Sequence, residues 1–422
     1  MKNFVASIGR SLTRGKNLWQ AIAVLAVCFA ALFSLISISA TEGFYALALV
    51  ALTIWLATKK LRPAFPSFFW PLLVYAVLSL VSSAFSVNPG MSLLDSRDLL
   101  LLLVAPIVYM AVSKKEELRL VMWALFASGL GSSIYSISYY LFQAYPGERV
   151  KGFMGHYMTQ AGILLLFGAF ALGIIFFGKG ITRIAWGMGL LLAAVSIVLT
   201  LTRSAWIGLA VALCVILALW KPRTLVLVPV VAALVFFASP QTVKKRALSI
   251  FSLRGYSNAE RVQYFKAGIK IIRDFPLFGT GPDTVDMVFQ NPKYGLGETA
   301  KRNVHLHDNF IQIAAERGIA TLAVWLAFII CAFLELLKRA GRKAGNPPVR
   351  DPLAVGALAA FAAFVVAGFF EYNFGDSEVV TLFLLILTLP FIPARRFSAG
   401  SIKDPERAPN SHAGAPASLP SK

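Results

Sequence analysis

Residues 305–318 read HLHDNFIQIAAERG, and residues 319–337, directly downstream, read IATLAVWLAFIICAFLELL. The first string is polar and holds two of the chain's 4 histidines. The second is apolar for about the length that carries a helix across roughly 30 Å of hydrocarbon. The junction reads as a polar segment meeting a membrane surface, with titratable groups placed at that surface.

Working outward, the polar side of the junction runs back to Pro240, and almost everything else is apolar. Of 422 residues, 58% are hydrophobic and only 14% are charged, against about 25% in soluble domains. Several further runs are long enough to span. Lipid offers no partner for backbone N–H and C=O groups, so such runs must be helices. The expected fold is therefore an all-α polytopic membrane protein of about twelve transmembrane helices, over 18–38, 43–58, 67–86, 98–113, 119–142, 157–178, 182–201, 204–220, 223–239, 319–337, 353–371 and 377–393. The basic start followed by a long apolar run reads as a first span and not as a cleavable signal.

The net charge of +20 is read as a membrane feature and not as a nucleic-acid footprint. Most basic residues sit within a few positions of a helix end, in alternate loops, as the positive-inside bias requires when the N-terminus is cytoplasmic. An even number of spans leaves both termini inside. The chain then divides into a cytoplasmic start (1–17), nine helices (18–239), a long external loop (240–318), three helices (319–393) and a disordered cytoplasmic tail (394–422) rich in Ala, Ser, Pro and Gly. Cys28, Cys214 and Cys331 fall inside apolar runs, far apart, and read as small core residues.

The external charges escape the positive-inside rule and need another reason. Arg149 and Lys151 precede the sixth span. Arg203 is a lone cation between two apolar helices, where an ionisable group is costly and is a functional candidate by default. The rest lie in 240–318. There Ser257 or Asn258 caps a helix whose apolar face is Val262, Phe265, Ile269 and Ile272, with Lys266, Lys270 and Arg273 opposite. The helix ends before Pro276. A basic amphipathic helix at this depth suits anionic lipid or lipid phosphate.

Near these cations, His305 and His307 are candidate general bases. If helical, they would point to different sides. Neither HExxH nor a cysteine pair is present, and Asp308 alone is a poor metal partner, so no metal is expected. Glu371 and Asp376 flank the turn before the last span and could pair with the cations or contact a sugar.

His307-Asp308, nine residues, then Gly318-Ile319-Ala320-Thr321 resembles the pattern H-[NSQ]-x9-G-x-x-[GTY] of the bacterial O-antigen ligases. Residues 148–155 (ERVKGFMG), Thr202-Arg203-Ser204 and residues 261–281 (RVQYFKAGIKIIRDFPLFGTG) also resemble that superfamily, which includes the O-antigen polymerases. The resemblance covers most of 18–393. It implies a glycosyltransferase C-like fold and transfer of polysaccharide from undecaprenyl pyrophosphate to the lipid A core, on the periplasmic face of the bacterial inner membrane, without metal or other cofactor. It implies His307 as base, with His305 as the alternative, Arg203, Arg261 and Arg149 around the pyrophosphate, and Lys151, Asp308 and Asn309 beside the substrates. Asp308 stands where the family has Asn, Ser or Gln; its carboxylate could orient the His307 ring, or Asn309 could take the amide's role. Gly318 is the expected hinge into the tenth span. The competing readings are the polymerase and a transporter of lipid-linked sugar.

Overall fold

The computed structural model describes residues 18–60, 62–145, 147–250, 256–344 and 349–392. The expected cytoplasmic start and disordered tail lie outside the described residues, as does the Ser257 side chain.

The chain is helical. In order come α1 Leu18–Phe33, α2 Ile38–Lys59, α3 Phe69–Ala84, α4 Pro89–Asp95, α5 Val104–Ala111, α6 Lys115–Phe142, α7 Tyr157–Phe177, α8 Gly180–Leu199, α9 Arg203–Trp220, α10 Leu227–Ala238, α11 Gln241–Leu248, α12 Tyr256–Asp274, α13 Val285–Phe289, α14 Asn309–Gly341, α15 Pro352–Ala367 and α16 Ser377–Thr388. Two residue pairs at 343–344 and 349–350 form the one small antiparallel ladder among the described residues.

Six helices, α2, α6, α7, α8, α9 and α14, are long and apolar enough to cross a membrane. The shorter apolar helices α1, α3, α15, and the stretches 222–238 and 377–391, add to them. The expected span at 98–113 takes another form: a 3-10 turn over Ser96–Leu103 leads into the eight-residue α5. The change to α geometry comes at Val104, which places Pro106 in the first turn of α5, where its missing N–H is tolerated.

Helix α7 is apolar on every side and is the most enclosed of the six. It packs against α15, α8 and α9. Gly173 and Gly356 let α7 and α15 touch backbone to backbone, since a side chain on either would run into the other helix. Such small-residue contacts replace the hydrophobic drive that lipid removes. Trp186 is fully buried against Phe126, Phe167 and Phe170 and ties α8 to the same core.

The polar segment builds a second core of its own. Tyr264, Ala267 and Ile271 of α12 pack with Val285 and Phe289 of α13 and with Tyr294, Leu296, Ala300, Leu306 and Ala315. The buried face of α12 meets the face expected from periodicity only near its end, where Ile272 packs against this core. Val262 and Phe265 are 43% and 54% exposed. Later residues, distant in sequence, supply the partners that select Tyr264, Ala267 and Ile271.

The segment is locked to the bundle through backbone. Thr280 and Gly281 N–H groups donate to Ala315 and Glu316 carbonyls at 2.9 and 2.8 Å, and Val87 N–H donates to Thr280 O at 2.8 Å. Gly318 breaks α14 with φ 82°, ψ 167°. A Cβ there would strike the Leu277 carbonyl, so Gly318 marks a fixed kink where two backbone segments meet.

Candidate active site

Three loops meet where the polar core touches the bundle. The first precedes α14. Asp308 caps that helix, its carboxylate accepting from Phe310 and Ile311 N–H at 2.8 and 2.9 Å. This starts the helix at Asn309, so His305 and His307 lie in the bent, non-helical chain before it. His307 sits at φ 53°, a left-handed conformation that is uncommon outside glycine. The two histidines are not on a helix, and this turn brings their ring centroids to 4.2 Å.

The second loop joins α15 to α16 and brings Glu371. Its Oε1 lies 3.1 Å from His307 Nδ1 and 3.8 Å from His305 Nε2. Burial acts to raise the Glu371 carboxyl, but the His307 hydrogen bond and the charges of His307, His305 and Arg261 outweigh it and hold the group well below the usual carboxylate range. Burial pulls His305 down to about 4, so this imidazole stays neutral at ordinary pH and is a weak base. The carboxylate that orients His307 is therefore Glu371, where the sequence pointed to Asp308. Asn309 anchors this loop. Its backbone N–H donates to Gly368 O at 2.8 Å, its amide donates to Asn373 Oδ1 at 2.6 Å, and its carbonyl accepts from Phe374 N–H at 3.1 Å. Asp308 and Asn309 thus shape the site from within.

The third loop is the turn between α8 and α9. Leu201 adopts φ 52°, which turns the carbonyls of 200–201 outward. Arg149 donates to Thr200 O at 2.9 Å, Leu201 O at 3.3 Å and Thr202 Oγ1 at 3.0 Å, and stacks over Tyr157 at 3.4 Å. Arg246 reaches the same Leu201 carbonyl at 3.1 Å. Arg203 is buried and reaches Ser249 O at 2.7 Å and Asn258 Oδ1 at 2.6 Å, which ties α9 to the polar segment. Burial, reinforced by Arg246 and Arg261, brings Arg149 down to about 10, still fully protonated near neutrality. Arg261 is likewise lowered, chiefly by burial. Its enclosed Nε has no hydrogen-bond partner among the described residues. Lys151 is exposed at the edge.

The structure therefore gathers Arg149, Arg203, Arg261, His305 and His307, and adds Arg246 and Glu371. Arg246 was one of many basic residues in the polar segment, with no signal to single it out. Glu371 did carry one: it is a lone carboxylate at the end of an apolar run. Asp376 caps α16 and accepts from Thr159 at 2.6 Å.

His305, His307 and Glu371 could also hold a metal, since one ligand atom of each lies within 4.8 Å of the others. The sequence suggested no such trio, because Glu371 is far along the chain. The arginines around it favour an anion over a dication.

A guanidinium cluster beside a carboxylate–imidazole pair suits a reaction in which an anionic group leaves as a hydroxyl loses its proton. No curated protein matches the chain at a significant level. Residues 188–326, which carry Arg203, Arg246, Arg261, His305 and His307, match the family model described as O-antigen ligase. The chain has the make-up of a multi-pass membrane protein and, over this segment, is similar to the O-antigen ligase family.

Proposed function

We propose that the protein is an O-antigen ligase, transferring polysaccharide from undecaprenyl pyrophosphate to a hydroxyl of the lipid A core at the periplasmic face of the inner membrane. The observation that carries this reading is the His307–Glu371 pair set beside the Arg149, Arg246 and Arg261 cluster.

In this reading Glu371 accepts the Nδ1 hydrogen of His307 and leaves the Nε2 lone pair for the acceptor hydroxyl. That oxygen attacks the anomeric carbon as the carbon–oxygen bond to the pyrophosphate breaks. The proton passes to His307, and the bonding electrons leave with the lipid pyrophosphate. Direct displacement inverts the anomeric centre. Arg149 and Arg261 meet the growing charge, with Lys151 at the rim, a task for which fixed cations suffice. Arg203 and Arg246 hold the turn and Arg149 in place and extend the field. Imidazolium formed on His307 is stabilised by Glu371. His305 contacts substrate as a neutral ring. No metal is required by this scheme.

Purified protein in proteoliposomes with the two lipid substrates is the test. Wild type is expected to form the conjugate equally with and without chelator. His307→Ala is expected to be slower by about 10²- to 10⁴-fold. Wild-type rates from His307→Ala remove the base assignment. Loss of activity in chelator, restored by a divalent ion, moves the His305–His307–Glu371 trio to metal binding. Joining of one lipid-linked glycan to another, with no product on lipid A core, makes the protein the polymerase.

A further inference from the structure

On the far side of His305 from the arginines lies a cavity of about 210 Å³. His305 and Tyr372 form the wall it shares with the catalytic pair. Its other polar lining is strongly acidic: Asp95 and Asp98 from α4 and the following turn, Asp283 from the loop before α13, and Glu316 from α14. Arg97 pairs with Asp98 at 3.5 Å from outside the lining, and one guanidinium of the lining, Arg317, faces these carboxylates. Its Nη1 donates to Glu316 Oε2 at 2.8 Å and to Tyr372 Oη at 3.0 Å, and its Nη2 lies 3.8 Å from Asp95 Oδ2. Arg317 is 7% exposed, and its Nε is enclosed with no hydrogen-bond partner among the described residues. The Tyr75 ring adds an aromatic wall.

The two sides of the site are thus opposite in sign. A pyrophosphate is drawn to the arginine side and repelled by the carboxylates. Burial raises the Asp95 and Asp283 carboxyls, but ionised or not their oxygens offer acceptors that recognise groups rich in O–H or N–H donors. An aromatic wall gives a sugar ring an apolar face to rest on. The volume is below the roughly 300–1,000 Å³ of sites for drug-sized ligands, which limits the occupant to about one ring.

We infer that this cavity is the acceptor subsite and receives the single unphosphorylated, hydroxyl-rich sugar residue whose hydroxyl is glycosylated. The inference rests on the ligase reading and adds to it. Any phosphate on the acceptor must lie outside the cavity, toward the basic surface of the polar segment. The sign difference also sets direction: donor and acceptor cannot exchange places without placing a diphosphate among four carboxylates.

Binding of core oligosaccharide released from lipid A, measured by calorimetry on the full-length detergent-solubilised protein, tests this apart from turnover. Asp95→Asn and Asp98→Asn are expected to weaken that binding by about tenfold each, the loss of a charge-assisted hydrogen bond. Binding of undecaprenyl pyrophosphate should stay within twofold. Asp98 lies at the cavity's edge with its side chain 46% exposed, so its variant is expected to fold even if Asp95→Asn does not. A phosphate monoester on the terminal sugar of the probe should abolish binding to wild type. Unchanged oligosaccharide binding in the Asp98 variant overturns the proposal, as does weakened lipid pyrophosphate binding in its place. If oligosaccharide binding falls as expected but wild type transfers nothing, the pocket stands and the ligase reading fails.

Discussion

Glu371 holds its charge at a cost that only nearby cations can offset. Because its folded value is depressed below the ordinary 4.5, its contribution to stability is present above that ordinary value and is lost as pH falls through the lower folded one. At neutral pH it is fully in force. Glu371→Gln keeps the shape and removes the charge. It is expected to lower turnover on the order of 10²-fold while leaving the acceptor KM near wild type, because the residue acts through His307. A change confined to KM would place Glu371 on substrate instead. His305 has the same sign in a higher pH window. Its value falls from 6.5 to about 4 on folding, so between those limits the unfolded chain binds more protons and acid destabilises the protein. His305→Gln is expected to flatten the decline of Tm between pH 6.5 and pH 4; an unchanged slope would show that His305 does not resist protonation.

Elements position these side chains through their ends. Helix α14 begins at Asn309 because Asp308 caps it, and it kinks at Gly318 because two carbonyl-bearing segments meet there. Asn309 links the start of α14 to the loop that carries Glu371. Asn309→Ala leaves buried partners at Asn373 and Phe374 unsatisfied. The expected loss is about 1–3 kcal/mol of stability, seen as a lower melting temperature with substrate KM values little changed. A raised KM at unchanged stability would instead return Asn309 to direct substrate contact. On α12, periodicity finds the apolar stripes but not which of them meets a partner.

For the whole molecule, the polar segment, the turn at 200–202 and the loop at 368–376 all gather at one end of the bundle. If that end faces the periplasm, Lys293→Cys in a cysteine-free background should react with a membrane-impermeant maleimide in intact spheroplasts, and Lys59→Cys only after permeabilisation. The Lys293 side chain is well exposed. The reverse pattern would invert the orientation and with it the side from which both substrates enter.

Membrane class, most helix positions and the histidine-bearing junction were legible in the chain, because the requirement to satisfy backbone groups in lipid acts on contiguous residues. Arg203 and the two histidines stood out for the same reason, as polar groups at the edges of apolar runs, whereas Arg261 and the preference for His307 came from the family resemblance. What only the tertiary structure decided is the partnership between them. Glu371 lies 64 positions beyond His307, and four carboxylates from three separate segments enclose one cavity. No local pattern encodes such meetings. They depend on a cap that ends a helix at Asp308, a turn that reverses at Leu201, and backbone contacts around Gly318 that bring distant loops to one surface.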